Sequence, residues 1–106
     1  MSYEDKTLNV SELFLDESNP RFPEVRSQRD AIEAMLEEQG DKIVNLARDI
    51  YRYGLNPSSR LIVFQENNRF TDGDGNRRLT ALKVLETPTL ANSHPRIKKK
   101  IEQILE

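Results

Sequence analysis

The chain contains no cysteine and only one histidine, and both shortages exclude kinds of chemistry. Without cysteine there can be no disulfide, no thiolate zinc site and no cysteine nucleophile. The single histidine, His94, cannot form a histidine-rich metal centre. Any metal that this chain binds is therefore expected to have oxygen ligands.

Long apolar runs are also lacking, and no segment approaches the length of a membrane span. The first residues do not form the charged and then apolar regions of a secretory signal. We therefore expect a cytoplasmic protein that does not enter a membrane. The 16 basic and 18 acidic side chains give a net charge of −2, which argues against a surface built as a whole for duplex DNA.

The most informative segment is residues 72–82, where an acidic, glycine-containing turn leads into an apolar helical pattern. A helix N-terminus offers backbone N–H groups and the positive end of the helix dipole, so this pattern predicts a phosphate-binding helix start. The N–H groups near Gly75 and Asn76 would receive phosphate oxygens. Arg77 and Arg78 would supply the forked donors that suit those oxygens.

Asp74 is the residue of this segment that a phosphate site does not explain by itself. A carboxylate repels a phosphate unless a cation lies between them or the carboxylate acts as a base, so Asp74 indicates Mg²⁺ or catalysis. A simpler interpretation stays open, in which Asp74 caps the helix, Asp72 and Gly73 form a turn, and the arginines are solvated.

Turn residues and hydrophobic periodicity predict the elements of the first half. Residues 7–15 favour a strand followed by a helical turn near Ser11, and residues 16–23 favour a loop stiffened by proline. Two helices should follow. The first should stop at Gly40, and the second should begin after a cap at Asp41.

The second of these helices has the clearest apolar repeat in the chain and should end at Gly54. Tyr51 and Tyr53 are interpreted as core residues of this helix rather than ligand contacts. The apolar residues 61–64 predict a strand covered on both faces. Asn67 and Asn68 then predict a tight hairpin that pairs this strand with residues 69–72.

Residues 87–93 form a predicted linker, and an amphipathic helix should begin at Pro95. Its apolar stripe needs a partner, which could be this domain or a further domain that follows. The lysines at residues 98–100 are interpreted as a solvated helix face, with contact to nucleic acid as the alternative.

The order of these segments resembles the ParB/sulfiredoxin superfamily. Gly75-Asn76-Arg77-Arg78 is similar to the GERR-x-RA box of ParB proteins and the GGCHR box of sulfiredoxins. Upstream segments are also similar to the family's elements in the same order. Residues 8–13 resemble its first strand and residues 19–21 its Pro-Arg element. The helix, turn and strand that precede the box correspond to residues 46–50, 54–57 and 61–63. Residues 74–82 are also similar to the DGQQRLTTL box of nucleotide-hydrolysing restriction and phage-defence proteins, and Asp74 stands where free-serine kinases have a catalytic aspartate.

Two departures from the family narrow the function. Asn76 occupies the place of the sulfiredoxin cysteine, which excludes sulfinic-acid reductase activity. ParB clamps have an acidic residue after the glycine and a helix-turn-helix region downstream, and this sequence has neither. Clamping on DNA under the control of CTP is therefore not expected of this chain.

The resemblance implies an α+β fold in which a small mixed sheet packs with about four helices. Residues 1–90 would form the ParB/sulfiredoxin-like domain, and residues 91–106 would form the C-terminal amphipathic helix, a candidate surface for homodimerisation. The implied function is nucleotide binding, within a larger DNA-transaction or defence protein. The alternatives are a DNA-binding or nuclease module and a domain that acts only through protein contacts.

The resemblance also implies a role for each site residue. Asp74 would be catalytic, in nucleotide hydrolysis or phosphoryl transfer, and would hold Mg²⁺. Arg21 would close the site from its loop. The residues expected to bind the nucleoside triphosphate are Gly75, Asn76, Arg77, Arg78 and Arg21.

Overall fold

The computed structural model describes residues 7–18, 27–54, 61–73 and 76–106. These residues form a small α+β fold in which helices predominate over a three-stranded mixed sheet, which confirms the predicted fold class. In chain order the elements are a 3-10 turn at Val10–Glu12, β1 at Leu13–Phe14, α1 at Gln28–Tyr53, β2 at Val63–Glu66, β3 at Arg69–Asp72, α2 at Arg77–Glu86, a second 3-10 turn at Pro88–Ala91 and α3 at Pro95–Leu105.

The N-terminal segment has its helical turn before its strand, the reverse of the predicted order. The Glu12 N–H donates to the Asn9 carbonyl at 2.9 Å, and the Asn9 N–H donates to the Glu12 carboxylate at 3.0 Å. These reciprocal bonds close the turn ahead of β1. β1 then pairs in parallel with β3, with Leu13 opposite Phe70.

The predicted hairpin is confirmed. β2 and β3 are antiparallel, and the turn between them places Asn67 at φ 54° and Asn68 at φ 62°, a conformation that asparagine tolerates well. β3 is the central strand of the sheet, between β1 and β2. The expectation that β2 is covered on both faces is wrong, because the Phe64 side chain is 45% exposed.

α1 begins where the Ser27 hydroxyl accepts a hydrogen bond from the Asp30 N–H at 3.1 Å. It ends as predicted at Gly54, whose φ of 75° suits glycine. The two helices predicted between these caps meet at a kink at Gln39, where φ is −127° and ψ is 24°, one residue before the predicted stop at Gly40. The cap predicted at Asp41 is wrong, because its carboxylate accepts a hydrogen bond from Arg96 instead.

Gly40 allows α3 to lie very close to the kink. A Cβ atom at this position would be 2.9 Å from the Cδ1 atom of Ile97, closer than packed carbon atoms approach. α3 packs back on α1, with Ile97 and Ile101 buried, so its apolar stripe finds its partner in this fold. The core consists of the following buried side chains: Leu13, Leu15, Ala31, Ile32, Met35, Leu36, Ile43, Val44, Ala47, Leu79, Ala81, Val84, Ala91, Ile97 and Ile101.

The assignment of Tyr51 and Tyr53 to the core is wrong. Their exposed fractions are 55% and 74%. The last buried residue of α1 is Ala47, and in the final turn Ile50 packs against the core whereas the two tyrosines are exposed.

Candidate functional site

The β2–β3 hairpin leads directly to the start of α2. β3 ends at Asp72, and the Gly73 N–H extends the pairing by donating to the Ile62 carbonyl at 2.7 Å. α2 begins at Arg77, immediately after Asn76. A strand that passes through a short turn into a helix N-terminus is the context in which the phosphate motif was predicted to act.

Asp72 is fully buried and holds the turn from inside. Its exposed fraction is 1%, and its carboxylate accepts a hydrogen bond from the Asn76 N–H at 2.9 Å. The sequence pattern places Asp72 at the end of the predicted strand 69–72 or in a turn, and it does not indicate that this aspartate holds Asn76. The signal that could have identified it is its spacing, four residues ahead of a position that must supply a left-handed conformation.

Asn76 has a left-handed backbone, with φ 68°, and its exposed fraction is 4%. Its side-chain Oδ1 accepts from the Asp16 N–H and its Nδ2 donates to the Asp16 carbonyl, both at 2.8 Å. Its own carbonyl accepts from the N–H of Thr80 at 2.9 Å and from the Thr80 hydroxyl at 2.8 Å. Direct contact of Asn76 with a phosphate stays a prediction, and in this conformation Asp72 would have to release the N–H.

A second carboxamide, that of Gln28 at the start of α1, binds the backbone of Leu15, next to Asp16. Gln28 accepts a hydrogen bond from the Leu15 N–H at 2.8 Å and donates one to the Leu15 carbonyl at 2.9 Å. The backbone of Leu15 and Asp16, which follows β1, is thus fixed between the first turn of α1 and the start of α2. Such side-chain bonds replace the strand partner that this backbone would otherwise need.

The N-terminal turn of α2 is basic. The Asn76 side chain does not cap the helix, and the first turn contains no acidic residue. The first N–H groups of a helix have no carbonyl within the helix to bond, and they lie at the positive end of its dipole. Arg77 is exposed and Arg78 is partly buried, so this turn adds two guanidinium groups to the same end.

Arg77 makes a contact that the sequence analysis did not find. Its Nε donates to the Oε1 of Gln39 at 2.6 Å, which ties the start of α2 to the kink of α1. No local pattern could reveal this bond, because the two residues are 38 apart in the chain.

Three of the predicted site residues, Arg21, Asp74 and Gly75, lie outside the described residues. Within the described ranges, no three acidic, histidine or cysteine side chains come together as a metal site would require.

The other end of α2 is anchored by Lys83. Its Nζ donates to the Val10 carbonyl at 3.2 Å, and burial lowers the pKa of this amine below its ordinary value. α2 is thus held to the N-terminal segment at both ends. Asn76, just before its first residue, bonds Asp16, and Lys83, near its last residue, bonds Val10.

The basic run on α3 is partly neutralised by α1. Lys100 lies 3.6 Å from the Asp41 carboxylate, which also pairs with Arg96 at 2.9 Å. The hydrogen bond from Arg96, followed by its charge and that of Lys100, holds the pKa of Asp41 below its ordinary value. The lysine run therefore presents less positive charge than its sequence suggests.

A cleft of about 870 Å³ lies between the kink of α1 and the start of α3. Gln39 and Gly40 line it at the kink, and an interaction between His94 and Glu33, at 2.8 Å, lies along its wall. No side chain of α2 lines the cleft, so it is separate from the helix start described above.

In the part of the chain that the structure describes, no helix is both long enough and apolar enough to cross a membrane. Comparisons of the chain with protein-family models, with curated proteins and with solved structures found no match. The class that the structure itself defines is a small α+β domain with a basic helix start at the end of a hairpin.

Proposed function

We propose that this chain is a nucleotide-binding domain that holds the phosphates of a nucleoside triphosphate at the start of α2. The observation that carries the proposal is the junction between β3 and α2. There Asn76 is held in a left-handed conformation, its side chain does not cap the helix, and the helix begins with two arginines. Backbone N–H groups, the helix dipole and guanidinium groups all favour an anion at the same place.

Part of the junction is already held in place, because Asp72 fixes the backbone of Asn76 and Asn76 fixes Asp16. Backbone that is fixed before binding loses less conformational entropy when the ligand arrives, and Asp72 must release the Asn76 N–H if a phosphate is to accept from it. The sequence resemblance to the ParB and sulfiredoxin boxes also supports phosphate binding at the start of α2.

Within this proposal Arg78 is the principal phosphate ligand, because it takes the place of the arginine that the GERR, GCHR and DGQQR boxes share. Arg77 contributes from the outer face of the same turn. Arg21 closes the site, and Asp74 holds Mg²⁺ or orients the attacking group, as the resemblance implies. The domain would serve within a larger DNA-transaction or defence protein.

Calorimetry with ATP, CTP and GTP in the presence of Mg²⁺ tests the proposal. We expect saturable binding of at least one of them. Arg78→Ala should weaken it by at least about tenfold, since a hydrogen bond to a charged group contributes about 1.5–3 kcal/mol. Arg48→Ala is the matched control, because Arg48 is an exposed arginine of α1 that bonds only its neighbour Asn45 among the described residues. Absence of saturable heat with all three nucleotides would refute the proposal.

The same protein can be tested for the alternative, a DNA-binding module. That function would use Arg77, Arg78 and the lysines of α3 on phosphate backbones, and affinity would fall steeply with salt. The net charge of −2 and the pairing of Lys100 with Asp41 weigh against it. Salt-dependent gel shifts in the absence of nucleotide binding would favour this alternative.

A further inference from the structure

The hydrogen bond from Arg77 Nε to Gln39 Oε1 determines how the guanidinium group can be used. A guanidinium group donates through Nε and through its two terminal nitrogens. With Nε engaged at 2.6 Å, the terminal Nη1 and Nη2 groups are left for another acceptor. Within the described ranges, no hydrogen bond or ion pair occupies these two nitrogens of Arg77.

The kink of α1 brings Gln39 to this position. Gln39 is the one residue inside α1 with non-helical backbone angles, and the next residue, Gly40, lies against Ile97 of α3, where an added Cβ would be 2.9 Å from Cδ1. The backbone beside Gln39 is therefore packed against α3. A side chain that stands next to packed backbone is suited to hold an otherwise mobile arginine.

Holding Arg77 matters because its side chain is exposed. A long exposed arginine samples many rotamers, and fixing it on a ligand costs the rotamer freedom of the whole side chain. A hydrogen bond that selects one orientation in advance removes part of this cost. The terminal edge of the guanidinium group then matches two oxygens of one phosphoryl group.

We propose that Gln39 is a positioning residue, which orients Arg77 so that its Nη1 and Nη2 groups bind the terminal phosphoryl group of a nucleoside di- or triphosphate. This inference rests on the function proposed above and narrows its ligand class. Arg78 binds the phosphate that lies at the helix start, and Arg77 binds the terminal phosphate of the same nucleotide. Gln39 acts only through Arg77 and does not itself touch the nucleotide.

The test begins with Gln39→Met, which keeps the length of the side chain but cannot accept the bond from Nε. Affinity for the nucleoside triphosphate should fall about three- to tenfold, because Arg77 would then have to be ordered when the ligand binds. Affinity for the corresponding monophosphate should stay within about twofold, because Arg77 would not reach its phosphate. Gln103→Met, at an exposed position of α3, is the matched control and should change neither.

A double-mutant cycle with Arg77→Ala shows whether Gln39 acts through the arginine. Once Arg77 is absent, Gln39→Met should have no further effect on triphosphate affinity. The Nε–H resonance of Arg77 should be protected from solvent exchange in the parent protein and should lose that protection in Gln39→Met. Circular dichroism melts of all variants confirm that each is folded.

Three results would overturn the inference. They are unchanged triphosphate affinity in Gln39→Met, equal losses with and without Arg77, and an equal loss for mono- and triphosphate. Each of these leaves nucleotide binding by the parent protein intact, so the inference fails while the proposed function stands. If the parent protein binds no nucleotide, the proposed function fails and the inference fails with it.

Discussion

Asn76 is joined to Asp16 by two hydrogen bonds of 2.8 Å, although the two residues are 60 apart in the chain. The Asn76 carboxamide both accepts and donates, so it pairs with the Asp16 backbone as a neighbouring strand would. As a result, the start of α2 cannot move independently of the end of β1. Every site residue on α2 is placed by this contact.

Asn76→Gly tests how much this contact stabilises the fold. Glycine tolerates the φ of 68°, so the variant removes the two side-chain bonds without adding backbone strain. The free energy of unfolding, measured by urea denaturation, should fall by about 1–3 kcal/mol, because the partly buried Asp16 peptide loses two hydrogen-bond partners.

The control for this variant is Asn67→Gly in the hairpin turn. Asn67 also has a positive φ, of 54°, but its side chain is exposed. This substitution should change the free energy of unfolding by less than about 0.5 kcal/mol. Equal losses in the two variants would show that backbone conformation, not the bonds to Asp16, accounts for the effect.

Gly40→Ala tests the close contact between α1 and α3. Alanine gains about 1 kcal/mol of helix propensity over glycine, but its Cβ would lie 2.9 Å from Ile97 Cδ1, and overpacking costs about 1–3 kcal/mol. We therefore expect a net loss of stability in urea denaturation. Ile97→Val removes Cδ1 and leaves the 3.2 Å approach to Cγ1, so in that background the same substitution should cost less stability. A loss of equal size in both backgrounds would contradict the packing explanation.

The Asp41 carboxylate should make stability depend on pH. Arg96 lowers the folded-state pKa of Asp41 below the ordinary value of 3.8, so its contribution is present above that value and is lost as pH falls through the folded pKa. Melting temperatures of the parent and of Asp41→Asn should therefore differ at about pH 6 and converge below about pH 3. A difference that persists unchanged at the lower pH would mean that the charge of Asp41 is not responsible.

The elements that could be predicted from the sequence are those whose causes are local. The Asn67–Asn68 pair determines its own hairpin, and Gly54 ends α1 because the residue itself adopts the required φ. The apolar repeat of α3 likewise predicted its buried face at Ile97 and Ile101. In each case neighbouring residues carry the whole signal.

The features that escaped prediction depend on residues far apart in the chain. The bond from Arg77 to Gln39 joins residues 38 apart, and the role of Asn76 follows from Asp16. A local pattern could show that Asn76 suits a left-handed turn, but it could not show which backbone its side chain grips. The basic helix start was predictable, whereas the bonds that support it were not.

Asp74 provides the last test, because two roles predict opposite results for the same pair of variants. If Asp74 holds Mg²⁺ or acts in catalysis, Asp74→Asn should abolish both Mg²⁺-dependent strengthening of nucleotide binding and any phosphate release, without loss of stability. If Asp74 only caps α2, Asp74→Asn should leave the free energy of unfolding unchanged, since aspartate and asparagine cap helices equally well. Asp74→Ala should then lower the free energy of unfolding by about 1 kcal/mol. Calorimetry with and without Mg²⁺, a phosphate-release assay and urea denaturation of both variants decide the matter. Unchanged Mg²⁺ dependence in Asp74→Asn, together with a loss of stability in Asp74→Ala, would assign the residue to the helix alone.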